Sequence, residues 1–142
     1  MEISEWVDDG RLAEVWPVMR QLRELLTEEE FQARVKKARS DGYRLFCALD
    51  PGPVGLVGWR IIHDLAFGRS LYIDDLVVDE GQRGNGIGTA LLDFARSAAL
   101  QEGCDMIRLT SAFRRTGAHA FYEQAGMDRA GYVFRERVGH RE

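Results

Sequence analysis

The sequence predicts a single mixed α/β domain, and three observations predict it. Its 142 residues suit one ordinary domain and are too few for a two-domain enzyme. Hydrophobic residues at 45% and charged residues at 30% suffice for a real core and argue against wholesale disorder. Segments with strand-like alternation and segments with helical spacing follow one another along the chain. Around residues 84–110 the succession of strand, helix and strand implies a parallel pair joined by a right-handed crossover.

The elements follow in chain order. From 11 to 26 the residues Leu12, Val15, Trp16, Met19, Leu22, Leu25 and Leu26 recur every three or four positions, the stripe of an amphipathic helix that Pro17 is expected to kink. Thr27 with Glu30 has capping-box spacing and opens a second, polar helix through Ala38, which Asp41 and Gly42 terminate. Residues 43–49 (YRLFCAL) and 54–63 (VGLVGWRIIH) read as a hairpin around the turn-forming Asp50, Pro51, Gly52 and Pro53. Residues 70–78 (SLYIDDLVV) are apolar on both faces apart from two aspartates, which suits a central strand.

After a glycine-rich turn, Ile87, Ala90, Leu91, Phe94, Ala95 and Ala98 mark a strong helix ending at Gly103. A short strand at 106–110, a short helix at 116–124 and a last strand at 132–137 complete the reading. The final few residues read as a loose tail, and no internal repeat is present.

Twenty-three acidic against nineteen basic residues give a formal charge of −4, which argues against a nucleic-acid partner held by a basic face. Cys47 and Cys104 lack CxxC spacing, so neither a metal site nor a disulfide framework is expected, and a reducing cytoplasmic location follows. The first residues carry acids where a signal peptide carries bases, and no apolar run approaches the ~18 residues of a membrane span. The sequence leaves monomer and homodimer open.

The most informative segment is 79–92, DEGQRGNGIGTALL, in which a strand feeds a glycine-rich loop and then an amphipathic helix. The first amides of a helix have no intrahelical partners, the dipole there is positive, and glycines let a phosphate approach the backbone. A dinucleotide fingerprint would need glycine where Thr89 stands, and the Lys-Ser/Thr of a nucleoside-triphosphate loop is absent.

What the segment does match is Arg83-x-x-Gly86-x-Gly88, which resembles the acyl-CoA loop of GNAT-type N-acetyltransferases. The strand LYIDDLVV before it, the helix GTALLDFARSAALQEG after it and AHAFYEQAGM beyond the next strand stand in that family's order. The resemblance implies one domain over residues 1–142, with a CoA-binding core at about 70–126. It also implies a mixed, mostly antiparallel sheet of six or seven strands flanked by helices, with a central parallel pair splayed for CoA. The implied activity is transfer of acetyl from acetyl-CoA to the primary amine of a small-molecule acceptor, without a metal. Neither cysteine lies in a base-activated setting, so direct attack rather than an acyl-enzyme is expected.

By the resemblance, the backbone of Leu76, Val77 and Val78 pairs with the pantetheine arm. The amides of Arg83, Gly84, Asn85, Gly86, Ile87, Gly88 and Thr89 hold the pyrophosphate. Tyr122 stands at the tyrosine position whose hydroxyl protonates the departing thiolate. Asp74 and Asp75, adjacent in the strand, are the candidate bases; strand alternation points them to opposite faces, and Asp74 is preferred. The family asparagine seven residues before the tyrosine is Arg115 here, and FRRTGAHAFYEQAGM is similar to aminoalkylphosphonate N-acetyltransferases. Arg114 and Arg115 suit CoA phosphates or an anionic acceptor group, and a solvated pair serves equally well. His119 shares the face of Tyr122, while His63 and His140 read as structural or solvated. Adjacent acids also occur in polyamine-acetylating relatives, and protein lysine or N-terminal acetylation and non-catalytic acyl-CoA binding remain rival functions.

Overall fold

Five strands form one sheet in chain order: β1 (Glu2–Glu5), β2 (Arg44–Leu49), β3 (Pro53–Asp64), β4 (Gly68–Val78) and β5 (Met106–Leu109). β1 to β4 pair antiparallel, and β4 pairs with β5 in parallel. The computed structural model describes residues 1–139, which divide into two compact units, Met1–Leu109 and a second beginning at Thr110. His140 lies outside the described residues.

The alternation of the strands sorts their side chains onto two faces. On one face Phe46 and Trp59 stack with ring centroids 4.4 Å apart, and Phe94 of α3 (Ile87–Gln101) meets Phe46 edge-on at 5.1 Å. Such aromatic pairs contribute about 0.5–1.5 kcal/mol beyond their burial. On the other face Leu45, Cys47, Leu56 and Val77 join a cluster with Leu12, Val15, Met19, Phe31 and Val35. Phe31 and Val35 are the buried side of α2 (Glu28–Arg39). Its capping box is formed as expected: Glu30 N donates to Thr27 Oγ1 at 3.1 Å and Thr27 N donates to Glu30 Oε1 at 2.8 Å.

Three expectations need correction. The long kinked helix over 11–26 is instead a 3-10 turn (Asp9–Glu14), a short α1 (Trp16–Met19) and a series of turns. Pro17 lies in the first turn of α1, where its missing N–H costs nothing, so it begins a helix rather than kinking one. Burial follows the stripe at Leu12, Val15 and Met19, but Leu25 is 93% exposed. The strand expected at 132–137 does not form, and Tyr132 and Phe134 are exposed. A suitable local sequence is not enough, because a strand also needs ladder hydrogen bonds from a partner. Among the described residues the sheet therefore has five strands rather than six or seven, one of which, the short β1, carries too few residues to show a period. In the second unit α4 (Thr116–Gln124) forms as expected.

Candidate active site

The site begins at an irregularity in β4. Gly58 pairs with Asp75, but the next residue of β3, Trp59, pairs with Ile73, so Asp74 is an extra residue in the ladder. This β-bulge reverses the simple alternation. Asp75 stands opposite Gly58, and Tyr72 stands opposite Arg60, two positions along the same face of β3. The Asp74 carboxylate meets that same Arg60, which places both acids on one face, contrary to the opposite-face expectation.

Each carboxylate is already an acceptor. Arg60 donates Nε and Nη2 to the two oxygens of Asp74 at 2.8 and 2.7 Å, a bidentate geometry that raises the guanidinium pKa above its ordinary value. Asp75 Oδ2 accepts from the Tyr43 hydroxyl at 2.7 Å and Oδ1 from Arg23 Nε at 2.9 Å. Arg23 Nη2 also donates to the Asp74 carbonyl at 2.7 Å, satisfying a group of the bulged residue. Burial, and secondarily Asp75, push the Tyr43 phenol well above its ordinary value.

Past the bulge β4 has an open side. β5 pairs with β4 only from Ser70 to Ile73, so the outer edge of residues 74–78 carries no neighbouring strand among the described residues. Leu76, Val77 and Val78 lie on this stretch, with Leu76 and Val77 buried. The chain then passes through a 3-10 turn (Glu80–Gln82) into an exposed loop and α3. Gly86 is the N-cap of α3 with φ +78°, and Gly84 has φ +88°, left-handed conformations that glycine adopts without strain. No side chain caps this helix start, so its first amides at Ile87, Gly88 and Thr89 are available as donors. Thr89 and Arg83 are exposed beside them, and Asn85 donates to Gln82 Oε1 at 3.3 Å. Uncharged donors at a positive helix end, approached through glycines, suit a diphosphate. Among the described residues no cluster of metal-ligating side chains occurs.

The start of this loop is held by Gln21, from the turn after α1. Gln21 Nε2 donates to Asp79 Oδ1 at 2.7 Å and to the Pro17 carbonyl at 3.1 Å, and Gln21 Oε1 accepts from Glu80 N at 2.9 Å. Sequence reading missed Gln21, Arg23, Tyr43 and Arg60. The one available signal was Gly58, a mid-strand glycine of the kind that marks a close approach.

In the second unit, Tyr122 on α4 is half-buried, and burial raises its phenol pKa while the charge and hydrogen bond of Arg115 pull it down. Arg115 is the N-cap residue of α4, two helical turns before Tyr122. His119 Nε2 donates to the Ala112 carbonyl at 2.8 Å, a structural role, and Arg114 is exposed. In the first unit, His63 Nε2 lies 3.2 Å from Arg69 Nη1. Cys47 is buried, with its thiol pushed up to about 12 by burial.

The chain matches the family model described as Acetyltransferase (GNAT) family over residues 9–127. It is 32% identical over 129 residues to an uncharacterized N-acetyltransferase of Bacillus subtilis (strain 168), covering 89% of this chain and 91% of that protein. It is 29% identical to the thialysine N-epsilon-acetyltransferase of Mus musculus over 75% of this chain and 74% of that one. A shorter match, 36% over 62 residues, covers 44% of this chain and 40% of the aminoalkylphosphonate N-acetyltransferase of Salmonella typhimurium. An aminoglycoside N-acetyltransferase solved in complex with CoA shares the fold, with a TM-score of 0.84 at 16% identity, covering 96% of this chain and 93% of that one. With its bulged β4, parallel β4–β5 pair and glycine-rich helix start, the chain belongs to the Acetyltransferase (GNAT) family of acetyl-CoA-dependent N-acetyltransferases.

Proposed function

We propose that this protein transfers the acetyl group of acetyl-CoA to the primary amine of a small-molecule acceptor, by direct attack in a ternary complex. The observation that carries the reading is continuity: an unpaired β4 edge at residues 74–78 leads into an uncapped helix start with two left-handed glycines. The edge amides and carbonyls of Leu76, Val77 and Val78 suit the amide-bearing pantetheine arm, as an added strand would. The amides of Arg83, Gly84, Asn85, Gly86, Ile87, Gly88 and Thr89 suit the pyrophosphate.

In the reaction the neutral amine attacks the thioester carbonyl, forming a C–N bond and an oxyanion that a β4 backbone amide stabilises. Collapse breaks the C–S bond, and the thiolate takes a proton from the Tyr122 hydroxyl. The amine proton leaves to Asp74 or Asp75, directly or through water. All four carboxylate oxygens already accept hydrogen bonds, an arrangement that favours the water route.

A small acceptor is supported by relatives named for thialysine and aminoalkylphosphonate, both compact amines with an acidic group. A CoA-thiol release assay tests the proposal with aminoalkylphosphonates, thialysine, diamines and a lysine peptide as acceptors. Turnover on a small amine supports it. Turnover on the peptide alone makes the protein a protein acetyltransferase, and acetyl-CoA binding without turnover on any amine makes it a sensor.

A further inference from the structure

The turn that follows α1 makes two attachments around the open edge of β4, one at its bulge and one to the chain just past its end at Val78. Arg23 binds the bulge end, through the Asp75 carboxylate and the Asp74 carbonyl. Gln21, two residues earlier, binds the loop end, through Asp79 Oδ1 and Glu80 N, and anchors itself to the Pro17 carbonyl. The turn has a firm base, because Val18 and Met19 just before it are buried in the core. We infer that Gln21 and Arg23 are positioning residues of the transferase: Gln21 sets the loop that receives the CoA diphosphate, and Arg23 sets the bulge beside which the acetyl group is transferred.

The chemistry of each contact supports a division of labour. Gln21 uses donor and acceptor ends of one rigid amide, so it fixes both the Asp79 side chain and the Glu80 backbone immediately before the loop. A shift there displaces the helix-start amides together, which weakens cofactor binding without touching the reacting atoms. Arg23 holds a backbone carbonyl and a carboxylate in one planar fork, so it fixes the backbone of the bulged residue against the neighbouring side chain. A shift of about 1 Å there misaligns donors with the transition state, which lowers turnover rather than affinity. Segment 20–26 thus aligns the approach to the cofactor loop and the transfer bulge of β4 from one short piece of chain.

This inference rests on the proposed transferase reading, and the experiment separates the two. Gln21→Glu puts a carboxylate against Asp79 and removes the donor. It is expected to raise the acetyl-CoA KM about tenfold with kcat within about twofold. Gln21→Glu with Asp79→Asn restores a donor facing an acceptor and should return the KM to within about threefold of wild type. S-Acetylpantetheine, which lacks the diphosphate, should be used equally well by wild type and Gln21→Glu. Arg23→Gln is expected to lower kcat about tenfold while calorimetric CoA affinity stays within about twofold. Failure of the wild-type protein to bind CoA would overturn the transferase reading itself. Wild-type binding with unchanged kinetics in both variants would overturn this inference alone. So would a parallel loss of kcat, CoA affinity and melting temperature in both variants without rescue by Asp79→Asn, because that is the pattern of a merely structural turn.

Discussion

The Tyr43 hydroxyl reaches Asp75 Oδ2, at 2.7 Å, only because Gly58 lies beneath it. A β-carbon at position 58 would overlap the phenol oxygen and ring of Tyr43, which is buried and has nowhere to swing. Gly58→Ala is therefore expected to destabilise the fold by about 1–3 kcal/mol, as overpacking does, and to break the hydrogen bond to Asp75. Urea denaturation reads the first effect. Wild-type stability in Gly58→Ala would mean that Tyr43 is not pinned there.

The same pair sets an alkaline limit. The folded Tyr43 phenol titrates well above the ~10 of an unfolded tyrosine, chiefly through burial and then through Asp75. Its stabilising contribution is therefore full below about pH 10 and is lost as pH rises above that value, because the unfolded chain releases the proton first. Tyr43→Phe should lower stability at neutral pH by about 1–3 kcal/mol, since Asp75 loses a donor, yet reduce the further loss between pH 8 and 10.5. An equal alkaline slope in both proteins would place the titration elsewhere.

Direct transfer predicts intersecting initial-rate patterns and no acyl-enzyme. Cys47 is poorly suited to a covalent step, being buried with a thiol held near 12, whereas Cys104 is partly exposed. A disulfide reagent should label Cys104 in the native protein and reach Cys47 only on unfolding. Parallel kinetic lines, or loss of turnover in a stable Cys47→Ser/Cys104→Ser protein, would contradict direct transfer.

Gly86→Val should weaken acetyl-CoA binding about tenfold or more, because φ +78° is costly for a β-branched residue and the added atoms face the expected diphosphate. Nothing lies within 4 Å of an added β-carbon there, so the defect is one of backbone conformation and ligand access, not of packing. Calorimetric affinity equal to wild type in the folded variant would remove the loop from the binding site.

Tyr122→Phe keeps the ring and removes the hydroxyl. If that hydroxyl protonates the leaving thiolate, kcat should fall about tenfold to a hundredfold with little change in acetyl-CoA affinity. A thiol of pKa ~8.5 leaves tolerably well unaided, which puts the effect at the low end for a general acid. An unchanged kcat where chemistry limits turnover would make Tyr122 a packing residue.

The sequence was most legible where one short stretch carries the whole signal. The capping box of Thr27 and Glu30 and the stripe of Ile87, Leu91 and Ala95 need only their own neighbours, and both formed. The bulge at Asp74 was not legible, because it exists only in the register between β3 and β4 and no residue type announces it. Tyr43, Arg23 and Gln21 were missed for a related reason: each reaches its partner across more than thirty residues of chain. Pro17 shows that one residue can support opposite local readings, kinking a helix from its middle or opening one from its start. At 132–137 the local sequence suggested a strand, and pairing, which no single segment encodes, decided otherwise.

The spatial order of the strands, which repeats their order in the chain, has a kinetic consequence. β2, β3 and β4 form an up-and-down meander whose neighbours meet across short turns, so this part of the sheet assembles at little loop-closure cost. The parallel β4–β5 pair is different, since it must wait for the loop and the whole of α3 to cross the sheet. Folding is therefore expected to be staged, with amides of the meander protected early and those joining β5 protected late. Pulse-labelled hydrogen exchange during refolding would test this, and simultaneous protection of both regions would show instead that the crossover belongs to the nucleus.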